Sequence, residues 1–144
     1  MIRTAATEEL PAVLELLKPF SAHMEKVLGI ESDEQDEINS LSAMQQDGLL
    51  LVDDQMRGAV GALIFPLFLN TDVLIAQELF WWVKLEARGD GVGDELMDAL
   101  EAFAKQRGVK LVFMMDLATS PESAERVFKK RGYAMSERHW IKRI

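Results

Sequence analysis

The chain has 144 residues, 49% apolar and 28% charged, with a formal charge of -8 at pH 7, which fits one globular domain over residues 1–144 with a sizeable core. It has no cysteine, which excludes disulfides, a thiolate zinc site and a cysteine nucleophile, and its acidity argues against nucleic-acid binding. The N-terminus lacks a signal-peptide core, and the most apolar run, Ala59 to Leu69, is too short for a bilayer and is broken by Pro66, so a soluble cytoplasmic protein without a membrane segment is expected.

Ile2 to Ala6 reads as a first strand. Thr7 is placed to cap a helix from Glu8, with Leu10, Val13, Leu14 and Leu17 along one face, and Pro19 should stop it. Phe20 to Ile30 suggests a second helical segment ending at Gly29. His23 stands there with no second histidine at ligand spacing, so it reads as a surface or core residue and no metal site is expected.

Glu31 to Glu37 contributes five acids and leads into a helix over Asp33–Gln46, with Ile38, Leu41 and Met44 inward. The run lacks the spacing and central glycine of an EF-hand, so it reads as a solvated face. Residues 1–54 carry 3 basic and 12 acidic side chains, whereas residues 125–144 carry 7 basic and 2 acidic, an asymmetry that would suit a cationic substrate and an anionic cofactor.

Leu49 to Val52, a turn over Asp53–Arg57 and a long strand from Gly58 to Leu69 predict an antiparallel hairpin, bent or unpaired near Pro66. Val73 to Val83 is the next strand. A glycine-rich turn follows, and then Val92, Leu96, Met97, Leu100, Phe103 and Ala104 recur at helical spacing up to Gly108. Lys110 to Leu117 reads as a buried strand. Ser120 and Pro121 should start a helix that Gly132 closes, and Tyr133 to Ile144 reads as a final strand with Trp140 packed inward. The order β-α-α-β-β-β-loop-α-β-α-β describes a mixed α/β (α+β) domain.

The chemistry is concentrated in the glycine turn. Gly89, Gly91 and Gly93 let backbone N–H groups gather at a helix N-terminus, where the dipole favours an anion, so a phosphate-bearing ligand is the first expectation. A dinucleotide fingerprint needs its third glycine later, where Leu96 stands, and a P-loop needs a Gly-Lys-Ser/Thr that is absent. Arg88-Gly89-Asp90 spells an adhesion tripeptide, a coincidence in an intracellular setting.

Val83-x-x-x-x-Arg88-x-x-Gly91-x-Gly93 resembles the acyl-CoA pyrophosphate loop of the GNAT superfamily of N-acyltransferases, with its Arg/Gln-x-x-Gly-x-Gly/Ala signature. The order of elements resembles that fold over nearly the whole chain, and Ala124-Glu-Arg-Val-Phe-Lys-Lys-Arg-Gly132-Tyr133 is similar to the family's helix ending in Gly-Phe/Tyr. The resemblance implies a GNAT-like fold, with a mostly antiparallel mixed sheet splayed between its fourth and fifth strands and helices on both faces.

It also implies acetyl-CoA as cosubstrate, with no metal. The pyrophosphate would meet Arg88, Gly89, Asp90, Gly91, Val92 and Gly93, and backbone groups at Trp82 and Val83 would hold the pantetheine arm as an added strand. Arg88 is placed either to bind phosphate or to hold the loop. The implied activity is acetyl transfer to a primary amine by direct attack on the thioester, with Glu78, the only acid on its strand, as candidate base. Strict alternation would put Glu78 on one face with Phe80 and Trp82.

The acceptor would be a cationic small molecule, a protein lysine or an N-terminus, and the resemblance is compatible with a homodimer. Phe128 stands where many such proteins have a thiolate-protonating tyrosine, and Pro121 where an asparagine is common; Tyr133 fills a packing slot. These departures keep a second reading open, a CoA-binding sensor or interaction protein without turnover.

Overall fold

The computed structural model describes residues 1–117 and 120–144. They form two compact units, Met1–Met114 and Met115–Ile144. The first holds an open five-stranded sheet in the order β1 (Ile2–Thr4), β2 (Leu49–Asp53), β3 (Gly58–Leu67), β4 (Asn70–Val83) and β5 (Val109–Phe113). Every pairing is antiparallel except β4 with β5, which is parallel.

Two helices cover one face and one covers the other. Helices α1 (Leu10–Leu28) and α2 (Glu34–Asp47) bury Val13, Leu17, Leu41 and Met44 against Leu50, Val52, Ala59 and Phe80 of the sheet. Helix α3 (Val92–Gln106) buries Leu96, Leu100 and Ala104 against Leu49, Leu51, Val60, Ala62 and Ala76. Successive residues of β2 thus serve opposite cores, which is why Leu49-Leu-Leu-Val52 is apolar throughout and not alternating.

The close approach of α2 to the sheet depends on Gly48, where a Cβ would lie 2.2 Å from the carbonyl oxygen of Ala62. The obstacle is β3 backbone, which cannot swing aside like a side chain. Gly48→Ala should therefore cost about 3 kcal/mol, the upper end of overpacking, and lower Tm by about 10 °C in a calorimetric scan. An unchanged Tm would refute this account of the junction.

The β2–β3 turn is closed by an ion pair between a buried carboxylate and a partly exposed guanidinium. Asp53 has 0% exposure, and its carboxylate accepts from Arg57 Nε and Nη2, each at 2.8 Å, and from the N–H groups of Gln55 and Arg57. The Arg57 guanidinium holds the Asp53 carboxyl at about 2, below its ordinary 3.8, although burial pushes it up. Because the folded value is the lower one, the stabilisation is complete above about pH 4 and disappears as pH falls through 2. Asp53→Asn should cost about 2 kcal/mol at neutral pH. Urea titrations at descending pH should show the gap between variant and wild type shrinking from about pH 4 and closing near pH 2; a constant gap would exclude the linkage.

Several expectations are corrected. Helix α1 runs through Pro19 to Leu28 and ends at Gly29 in the left-handed region (φ 65°), forming one helix where a stop and a second segment were expected. Proline removes one helical N–H, but Leu16 and Leu17 before it are buried and Phe20 after it packs on Phe80, with ring centroids 6.2 Å apart. β1 ends at Thr4, and residues 7–9 form a 3-10 turn preceding α1. There Glu9 accepts from the Ala6 N–H at 2.9 Å, and the Thr7 hydroxyl pairs with Gln45 in place of capping. The bend expected near Pro66 is present as a register shift between Pro66 and Leu67.

In the second unit, α4 (Glu122–Lys130) follows Pro121, and the Ser120 hydroxyl accepts from the Leu117 N–H rather than capping the helix. Residues 133–144 form no strand, and Trp140 is 91% exposed. A strand there would divide its apolar residues between two faces, Met135 and Ile141 on one and Trp140 and Ile144 on the other, so neither could be buried cleanly.

Candidate acyl-CoA site at the end of strand β4

β4 and β5 share only Leu74 to Gln77 opposite Val109 to Phe113. Beyond Gln77, β4 continues to Val83 on its β3 partner alone. This is the splayed edge that the resemblance implies. Lys84 N–H donates to the Arg57 carbonyl at 2.8 Å, so the backbone groups of Lys84, and by alternation those of Trp82, point toward β3. Those of Trp81 and Val83 point to the splayed side. The two residues expected to face the pantetheine therefore differ: Val83 offers backbone on the splayed side, whereas Trp82 turns its backbone to β3.

Arg88 uses both. Its Nε donates to the Val83 carbonyl at 3.0 Å, and its guanidinium carbon sits 4.8 Å from the centre of the Trp82 ring. Of the two roles open to it, holding the loop is the one its contacts display. The loop leaves β4 through a 3-10 turn, Leu85–Ala87, and reaches α3 by way of Gly89 (φ 95°) and Gly91 (φ 86°). Both conformations are left-handed, and a Cβ at either would meet nothing within 4 Å. These glycines are required by backbone dihedrals and border open space.

Gly91 is the N-cap of α3, with no side-chain cap, and the first helical bond runs from Glu95 N–H to Gly91 O at 3.0 Å. The amides of Val92 and Gly93 precede that bond, so the helix gives them no acceptor. Val92 anchors the turn with 1% exposure, and Asp90 N–H closes back on Ala87 O at 3.3 Å. On the opposite side, Trp81 Nε1 donates to Gly93 O at 3.2 Å and its ring lies where a Gly93 Cβ would meet it at 3.3 Å. Trp81 and Trp82 thus clamp the loop from the two faces of β4.

Glu78 has 3% exposure and lies where β5 departs. The expected strict alternation is broken immediately after it. Gly61 pairs with Phe80 and Ala62 with Glu78, which leaves Leu79 as the extra residue of a β-bulge. Leu79, Phe80 and Trp82 all pack toward α1 and α2, whereas Glu78 pairs with Ala62 of the α3-side core. Glu78 is therefore separated from Phe80 and Trp82, and no sequence signal marks the bulge in this apolar run.

One feature was read differently in the sequence. The acids after α1 border a groove of about 390 Å³ whose floor includes Leu17, Phe20, Leu79 and Phe80. Glu31, Asp33, Asp36 and Glu37 line it, and among the described residues lining it there is no lysine, arginine or histidine. Ser21 donates to Glu37 at 2.6 Å, and Asp33 caps α2 by accepting from Asp36 N–H at 3.0 Å. The acids themselves are mostly exposed, but the floor beside them is apolar and adjoins the bulge. In the second unit, the Phe128 and Tyr133 rings pack at a tilt of 51° with centroids 5.9 Å apart, in keeping with a packing role for Tyr133. No group of three or more histidine, aspartate or glutamate side chains able to hold a metal occurs among the described residues.

The chain is similar to known acetyltransferases. It is 27% identical over 131 residues to an amino-acid acetyltransferase of Azotobacter vinelandii, covering 91% of this chain but only 28% of that protein. Among solved structures, a ribosomal-protein-alanine N-acetyltransferase of Brucella melitensis superposes with a TM-score of 0.77 at 17% identity, over 100% of this chain and 98% of the other. An acetyltransferase of Trypanosoma brucei gives 0.74 at 19% identity, covering 100% and 99%. At these identities the structural likeness concerns the fold. The family description matches residues 10–133, from the start of α1 past the end of α4, and on that match the chain belongs to the acetyltransferase (GNAT) family.

Proposed function

We propose that this protein is an N-acetyltransferase that moves the acetyl group of acetyl-CoA onto a primary amine. The observation that carries the reading is the continuity of three features: the splayed edge of β4, the left-handed glycines at 89 and 91, and the uncapped start of α3. Together they offer an extended ligand a strand edge for its arm and a cluster of amides for its pyrophosphate. Acetyl-CoA supplies the activated acyl carbon. Val92 and Gly93 amides would hold the phosphates, with Gly89 and Asp90 shaping the turn and Arg88 keeping it closed over Trp82.

In the reaction a C–N bond forms and the C–S bond breaks. The attacking nitrogen must be neutral, and Glu78 is proposed to take its proton directly or through water. A backbone N–H at the Leu79 register break would stabilise charge developing on the acyl oxygen. Water returns a proton to the departing thiolate, since Phe128 has none to give. That same phenylalanine favours the second reading, a CoA-binding protein without turnover. The name of the Azotobacter relative points to an amino acid as acceptor, but the chain corresponds to a small part of that protein.

A thermal-shift titration with acetyl-CoA tests the binding. Ligand at 100 times its dissociation constant should add about 2.7 kcal/mol, and no shift would refute both readings. CoA release across a panel of amines then separates them: steady turnover supports transfer, and its absence in protein that binds acetyl-CoA supports the sensor.

A further inference from the structure

We infer that Arg57, outside the glycine loop in sequence, is a positioning residue for the cofactor: its guanidinium, anchored by Asp53, offsets the carboxylates of Asp90 and Glu95 so that the start of α3 stays receptive to an anion. The inference rests on the acyl-CoA reading for its ligand, but its evidence is the junction of the β2–β3 turn with the loop.

The loop carries an internal conflict. Asp94 and Glu95 occupy the first turn of α3, where the helix dipole favours them, and Asp90 precedes the N-cap. The field that favours these carboxylates is the one that would hold a pyrophosphate, so each of them repels the ligand the loop is shaped for. Arg88 brings one positive charge to the Trp82 side of β4. Asp53 alternates with Val52, which packs toward α1 and α2, so the Asp53–Arg57 pair brings a second charge on the α3 side.

Three contacts place Arg57 there. Gly58 pairs with Val83, and the Lys84 N–H donates to the Arg57 carbonyl at 2.8 Å, so the turn and the loop leave the sheet side by side. Gly58 has no side chain to hold α3 away: a Cβ there would lie 3.0 Å from Leu96 Cδ1, one residue after Glu95. Asp53 then fixes the guanidinium by accepting from Nε and Nη2, each at 2.8 Å. The guanidinium holds its proton more tightly than usual, first through those bonds and then, against burial, through the charges of Asp53, Glu95 and Asp90. Because Asp53 orders this side chain before any ligand arrives, its rotamer entropy is not lost on binding.

The test is a calorimetric titration of acetyl-CoA into the full chain and its variants, beside a calorimetric scan of each. Arg57→Lys and Arg57→Gln should both lower Tm, since neither keeps the paired bonds to Asp53. Affinity should part from stability. Arg57→Lys, which keeps the charge, should bind acetyl-CoA within about twofold of wild type, whereas Arg57→Gln should bind about fivefold more weakly and with a shallower salt dependence. Glu95→Gln added to Arg57→Gln should recover about twofold of that loss without raising Tm. Should Arg57→Gln fold poorly with the Asp53 carboxylate left unpaired, Asp53→Asn is added to both Arg57 variants and the same lysine–glutamine contrast is read.

Equal weakening by lysine and glutamine would show that Arg57 serves the turn alone, and undiminished affinity in Arg57→Gln would show that the acids need no offset. Either result overturns the inference and leaves the acyl-CoA reading standing. Wild-type protein that binds no acetyl-CoA overturns that reading, and the inference with it.

Discussion

Glu78→Gln should slow CoA release by about 10²- to 10⁴-fold while leaving the acetyl-CoA thermal shift intact, the range expected when a positioned general base is removed. The substitution keeps shape and burial, so what changes is the capacity to accept a proton. The side chain has 3% exposure at the residue where β4 parts from β5. The acid limb of the wild-type pH–rate profile should vanish in the variant. A variant with the wild-type rate and profile would move the base elsewhere, to a water chain. Loss of rate together with loss of the acetyl-CoA shift would mean a structural role instead.

Gly91→Glu should abolish the acetyl-CoA shift altogether, removing the roughly 2.7 kcal/mol that saturating ligand adds. Two effects act together. At φ 86° a residue with a Cβ is strained by about 1–2 kcal/mol, which biases the turn away from its present form. The new carboxylate also stands at the N-terminus of α3, competing through the helix's own amides with an incoming phosphate. Because a Cβ there meets nothing within 4 Å, the fold should survive with a modestly lower Tm. Gly91→Ala separates the effects: strain alone should weaken binding, and only the added charge should eliminate it. Retained affinity in Gly91→Glu would show that the loop amides do not hold the ligand.

The loop and α3 were legible in the sequence because each glycine there has a local task. Gly91 caps α3 in the left-handed region, and Val92, Leu96 and Leu100 repeat along the buried face, so neither depends on a distant partner for its pattern. The β2–β3 hairpin was legible for a similar reason, with Asp53 and Arg57 closing their own turn. What escaped reading depends on non-local packing. Helix α1 passes Pro19 because Phe20 finds Phe80 across the core. The bulge at Leu79 leaves no trace in Leu79-Phe-Trp-Trp82, since every residue there is apolar and either face would accept it.

The site divides along the same line. Arg88 could be placed at the loop from spacing, but its hold on Val83 and Trp82 needed the fold. The acids from Glu31 to Glu37 looked like a solvated face because their neighbours in sequence are polar. Their apolar neighbours, Leu79 and Phe80, lie far along the chain on β4.

The clamp on the loop gives the protein an intrinsic optical gauge. Of its three tryptophans, Trp81 is tied to Gly93 O and Trp82 lies under the Arg88 guanidinium, whereas Trp140 is 91% exposed. Indole emission responds to nearby charge and to hydrogen bonding at its nitrogen, so the two clamp residues register any change in the loop or the start of α3. Trp140 contributes a constant, red-shifted background that Trp140→Phe would remove. The molecule then reports the state of its own glycine turn without an added label.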